Sequence, residues 1–339
     1  MKYRVDIDSA NKAKSALSEI IDNRDSRVLN KVGAFSSLFY IDLHKYREPV
    51  LVLKTEEPGS KQVLAFAHDR IENVCYDMIN HLINDCICMG AEPLAVQDLI
   101  VCSTMEPDKV NRIVKACAAA CSEQGCVLTG GETTQQPDVV PEGTYILGSS
   151  IVGVVEKNNI IDGTRIIPGD TVISIESNGL HTNGYTLVRD LLKKRPSLAD
   201  EKIDNSNFLD AVLLPHLCYY NSLKDLFGTG KIKGLAHITG GGIRENLNRI
   251  LPGNTDAEID LCSYRVRKVF SIIKSETGIS DDEMLRTFNM GTGMALVCSE
   301  EDTDFITNHL NKKGNNAWKA GTIRKGSGHV NCTGFLSYN

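Results

Sequence analysis

The sequence predicts an α/β (α+β) protein of two domains, and three observations carry that expectation. Short apolar runs alternate along the chain with stretches whose apolar residues recur at helical spacing, a pattern of strands separated by helices, unlike an all-β or bundle fold. The 339 residues suffice for two domains, each burying its own core. KNNIIDGTRIIPGD, residues 157–170, collects polar, Gly and Pro signals into one breaker-rich segment, so the boundary is expected near residue 158, giving domains 1–158 and 159–339.

In chain order, Ser9 or Asp8 can cap a first helix with apolar positions Ala13, Ala16, Leu17, Ile20 and Ile21. PVLVL at 49–53 reads as a strand that runs into the turn KTEEPGSK, 54–61. Val74, Met78, Ile79, Leu82, Ile83 and Cys86 form the stripe of a longer helix ending at Gly90, before Pro93. A strand (LAVQDLIVC) follows, then a helix from about Pro107 to Gln124, a short strand CVLT entering GGET at 130–133, and the strand TYILGSSIVGVVE. In the second half TVISIES, KGLAHI, AEIDL, GMALVC and AWKAGTI read as strands. Helices are expected from Tyr185, over about 207–227, after the glycines of TGGGIRENLNRIL, near 266–275 and near 301–313.

A formal charge of −6 provides no global field for nucleic acid or an anionic membrane, so a phosphate-bearing ligand needs local groups. The start, MKYRVDIDSANKAK, has no apolar core of the signal-peptide kind, and no run approaches the ~20 apolar residues needed to span a bilayer; a cytoplasmic protein is expected. The 11 cysteines include no Cys-x-x-Cys pair and read as reduced, small apolar fillers.

Four motifs can carry chemistry. In AHITGGGIREN, a strand ending in His237 and Thr239 meets Gly240, Gly241 and Gly242 and then a helix, which lets backbone amides approach an anion; a plain turn is the alternative. Glu132 of GGET can act with Asp85 and with Glu56 or Glu57 as a carboxylate set for Mg2+; the alternatives are a satisfied helix-end residue for Asp85 and a solvated turn for the pair. SNGLHTNG, 177–184, holds His181 and Asn183 in a glycine-bracketed loop, where a histidine can donate to phosphate or transfer a proton, or simply lie exposed. In FNMGTGM, 288–294, Asn289 binds a ligand or shapes the turn. His44, His68, His81 and His216 read as structural or surface residues, and His237 has a buried, hydrogen-bonded alternative.

Nine stretches, taken in order, resemble the phosphoribosylformylglycinamidine cyclo-ligase family: VDIDSAN, YREPVLV, INDCICMGAEPL, GGET, VGVVEKNNIIDG, SNGLHTNGYTLVR, AHITGGGIRENLNRILP, RTFNMGTGM and NAWKAGTI. The resemblance implies that ATP phosphorylates the amide oxygen of formylglycinamidine ribonucleotide, an amidine nitrogen closes the imidazole ring, and phosphate leaves. It implies ATP and Mg2+ as cofactors, a ribonucleotide as the small-molecule substrate, and a homodimer formed through the N-terminal sheet, with a helix-covered C-terminal sheet. It assigns Glu56, Asp85 and Glu132 to the metal and Asp85, His181 and His237 to catalysis. Lys61, Asn183, Thr239, Gly240, Gly241, Gly242 and Asn289 are assigned to ligand binding. KTEEPGSK departs from the family's Gly-Thr-Asp-Gly-Val-Gly-Thr-Lys: an acid, one glycine, a hydroxyl and the lysine remain, while two glycines are lost and Pro58 enters. That departure keeps two further readings open, a relative that activates another amide or carboxylate with ATP, and a non-catalytic nucleotide-binding paralogue.

Overall fold

The computed structural model describes residues 25–31 and 33–338; the first expected helix lies outside them. Two compact units result. One contains the described residues up to Pro58 with Ala65–Ile87 and Ala91–Asn158; the other contains Gly59–Leu64, Cys88–Gly90 and the chain from Asn159. The division is therefore not a single cut near residue 158, because two short segments from the first half cluster with the second unit.

The first unit is built from β1 (Pro49–Glu56), α1 (Lys61–Ala67, shared between the units), α2 (Ile71–Ile87), β2 (Glu92–Cys102), α3 (Pro107–Glu123), β3 (Val127–Gln135) and β4 (Tyr145–Glu156). Its four strands lie in the order β1-β4-β2-β3. Only β2 and β3 pair in parallel, and α3 makes the crossover that a parallel pair requires. The stripe of α2 is buried from Val74 to Cys86, as its helical spacing predicts. The opposite face of the sheet is open: Leu53 is 71% exposed, Leu51 54%, Ile146 46% and Leu99 42%. GGET, expected just past a strand, lies inside β3: the ladder to β2 pairs Gly131, Glu132 and Thr133, while Gly130, at φ +130°, stands at an irregularity in that ladder where glycine is favoured.

The second unit runs β5 (Thr171–Glu176), α4 (Tyr185–Lys194), the hairpin β6 (Lys202–Ile203) and β7 (Ser206–Asn207), α5 (Phe208–Val212), α6 (Tyr220–Leu223), β8 (Ile232–His237) and α7 (Gly242–Leu247). It continues with β9 (Thr255–Asp260), α8 (Lys268–Thr277), α9 (Asp281–Thr287), β10 (Thr292–Cys298), α10 (Thr303–Lys312), β11 (Ala317–Lys325) and β12 (Val330–Thr333). Six strands form one sheet, β12-β9-β11-β5-β10-β8, against which α7 and α10 pack. The long helix expected over 207–227 is two short ones, since Pro215 has no backbone N–H and restricts Leu214 before it; residues 213–219 are not helical. α9 and β12 were not expected, although Ser280 and Glu283 close a capping box that announces α9. Among the described residues no helix is long and apolar enough to cross a membrane.

Candidate active site

In the first unit, strand periodicity puts Lys54 and Glu56 on one face of β1, and helical periodicity puts His81 and Asp85 one turn apart on α2. These four side chains meet. Lys54 Nζ lies 3.1 Å from Glu56 Oε2 and 2.9 Å from Asp85 Oδ2, and His81 Nε2 lies 3.6 and 3.8 Å from the same oxygens. Burial pulls the Lys54 ammonium down, but the Asp85 and Glu56 carboxylates outweigh it and hold the group above its usual range. Two carboxylates converging on one cation suit a hard divalent ion, so Glu56 and Asp85 fit magnesium provided Lys54 yields its place. The solvated-turn alternative fails for Glu56, whose side chain is only 18% exposed.

Glu132 does not join this pair within the chain. The parallel register sets it opposite Leu99, on the open face of the sheet, while Glu56 sits on the helix-covered face. The acid that lines up with Glu56 is Asp98, which the sequence reading missed. A row Glu56–Ser149–Asp98–Gly131 crosses all four strands. Asp98 is 8% exposed, burial pushes its carboxyl up to about 7, and its Oδ2 has no hydrogen-bond partner among the described residues. Nothing in its apolar-run context distinguishes it from an ordinary strand residue.

In the second unit, the loop after β5, the break between α5 and α6, and the end of β8 bring together His181, His216 and His237. All three are buried. His216 Nε2 lies 2.8 Å from His237 Nε2, and the His181 ring stacks on that of His216 with centroids 3.8 Å apart. His181 has the left-handed backbone conformation, and its carbonyl accepts hydrogen bonds from Lys61 Nζ and Tyr185 Oη. The exposed-turn alternative for His181 therefore fails, and His216, read as structural or surface, belongs to the cluster.

Three assignments change with this geometry. Lys61, expected to meet a phosphate, is fully buried with its ammonium on the carbonyls of His181 and Leu214, so it props the histidine loop. Asn289, expected to bind a ligand, is buried; its amide accepts from Ser177 Oγ and Gly291 N and donates to the Gly179 carbonyl, locking two loops together. Gly241 and Gly242, expected to offer amides to an anion, already donate to the carbonyls of Arg286 and Thr239. Gly242 is required by shape: at φ +60° a Cβ there would lie 1.8 Å from the Leu285 carbonyl oxygen. Gly240 is exposed, beside the Asn183 side chain, whose Nδ2 is a buried donor with no hydrogen-bond partner among the described residues. Thr239 Oγ1 donates to Asn246 Oδ1, which steadies this turn.

Both units match known families in sequence: residues 44–155 match the AIR synthase related protein N-terminal domain, and residues 168–331 the C-terminal domain of the same class. The class is a two-domain α/β protein. The chain belongs to the phosphoribosylformylglycinamidine cyclo-ligase family. It is 40% identical over 302 residues to the protein of that name from Chromobacterium violaceum, covering 89% of this chain and 87% of that protein. The Paraburkholderia phymatum protein of the same name is 38% identical over 330 residues, with 96% and 92% covered. In fold the chain is similar to the thiamine-monophosphate kinase of Stenotrophomonas maltophilia, with a TM-score of 0.72 at 15% identity over 95% of this chain and 96% of that one.

Proposed function

We propose that this chain closes the imidazole ring of 5-aminoimidazole ribonucleotide from formylglycinamidine ribonucleotide at the expense of ATP. ATP phosphorylates the amide oxygen, an amidine nitrogen attacks the activated carbon, and phosphate departs. The observation that carries the reading, in a chain of this family, is the convergence of Glu56 and Asp85 on one cation. Survival of Glu56 in the divergent stretch 54–61, held beside Asp85 of α2, argues against a binding-only paralogue, which has no need of two carboxylates held beside each other.

Glu56 and Asp85 would hold magnesium, which when bound supplies neutralising charge to the transferring phosphoryl group. Lys54 holds the two carboxylates together until then. Asn183 Nδ2 offers a donor to an anionic ligand beside Gly240 and Thr239. His181 and His237, buried at a loop and a strand end, are assigned proton transfer to and from the reacting amide and amidine. The protein is proposed to act in the cytoplasm as a homodimer paired through the open sheet face, whose exposed leucines a second copy would cover.

The test mixes purified protein with Mg-ATP, with and without formylglycinamidine ribonucleotide, and follows ADP and the aminoimidazole product. Both are expected together, with Glu56→Gln and Asp85→Asn each lowering kcat by roughly 10²-fold or more. Full turnover in both variants overturns the site assignment. ADP formed only with a different amide or carboxylate overturns the substrate.

A further inference from the structure

We propose that His181, His216 and His237 form a binding site for one borderline-soft divalent cation, zinc in the first instance, chemically distinct from the carboxylate pair assigned to magnesium. The three rings reach one point from separate segments of the second unit. One ring nitrogen from each lies within 4.8 Å of the others, and the residues are 1%, 1% and 5% exposed.

The His216–His237 contact is the centre of the inference. Two imidazole nitrogens 2.8 Å apart share one proton between two lone pairs. A divalent cation accepts both lone pairs at the same place. With Zn–N bonds of about 2.05 Å, tetrahedral nitrogens stand about 3.3 Å apart, so the rings need part only slightly. The His181 ring lies over that of His216 with centroids 3.8 Å apart, so the His181 ring must turn its nitrogen toward the shared point for one ion to take all three. An all-imidazole donor set selects zinc, nickel or copper, whereas magnesium prefers oxygen ligands. Three histidines leave a fourth position open to water or a ligand.

The scaffold holds the donors in advance. Lys61 and Tyr185 pin the His181 carbonyl, β8 fixes His237 through its register with Met294, and the helix break at Pro215 delivers His216. The Lys61 ammonium opposes a second positive charge, and its bonds to two carbonyls offset part of that repulsion. Cation binding claims the lone pairs of His181 and His237, so a loaded site and proton transfer by those residues exclude each other.

The experiment titrates the full-length, chelator-treated protein with Co2+ and does not depend on turnover. The wild type is expected to develop the visible absorption of four-coordinate cobalt at one equivalent per chain, displaced by Zn2+ and unaffected by excess Mg2+. His216→Gln and His216→Asn, checked for native circular dichroism, are expected to weaken cobalt binding by at least about 100-fold. Absorption spectroscopy of the zinc-loaded wild type at the metal edge should report three imidazole nitrogens. No cobalt band in the wild type, unchanged affinity in the folded His216 variants, or a shell with fewer than three imidazoles overturns the proposal.

Discussion

At the scale of single residues, Asp98 carries a consequence for pH. Its carboxyl titrates near 7 in the folded chain and near the ordinary value of about 3.9 when unfolded. Below both values each state holds the proton and Asp98 contributes nothing to the pH dependence. Between about pH 4 and 7 the unfolded chain releases the proton while the native one retains it, so stability falls as pH rises, by up to about 1.4 kcal/mol per unit, and levels off above 7. Denaturant unfolding across that window should show this slope in the wild type and lack it in Asp98→Asn; equal slopes would remove the shifted acid from the account. Asp98 was invisible in LAVQDLIVC because a strand sequence does not say which strand covers which face. Lys61 and Asn289 were legible as polar residues in glycine-containing loops, but the loops' packing, which composition does not encode, turned both inward onto carbonyls.

At the scale of elements, the stripe of α2 was legible because a helix buries every third or fourth residue whatever it packs against. The strand β3 was less so. Its two glycines were expected just past the end of a strand, yet Gly131 sits in the ladder directly opposite Asp98, and a Cβ there would fall 2.0 Å from the Asp98 carbonyl oxygen. Gly131→Ala is therefore expected to cost roughly 3 kcal/mol, read as a lowered urea midpoint, since the added carbon meets the Asp98 backbone as well as its buried carboxylate. A midpoint unchanged from wild type would mean the strands part more easily than their register suggests. The break between α5 and α6 follows the same logic in reverse: amphipathic spacing continued through 207–227, but Pro215 stopped the helix, and the break is what carries His216 to His237.

At the scale of the whole molecule, the open face of the first sheet sets the expected assembly. Leu51, Leu53, Leu99 and Ile146 lie on one side of a sheet whose other side is covered by helices. Light scattering on the purified protein should give a dimer, and Leu53→Arg, which puts a charge on that face at its most exposed leucine, should give a monomer. A dimer unaffected by Leu53→Arg would move the interface elsewhere.

The sequence by itself determined the α/β class, the order of most strands and helices, the family, and the candidate acids Glu56 and Asp85. These follow from local periodicity and from motifs whose order along the chain is preserved. Tertiary structure alone decided that Glu132 faces away from those acids, that Asp98 stands in line with Glu56, and that three histidines from distant segments touch. Such outcomes depend on strand register and loop packing, which are set by contacts between residues far apart in sequence, and a one-residue change of register moves a side chain from one face of a sheet to the other.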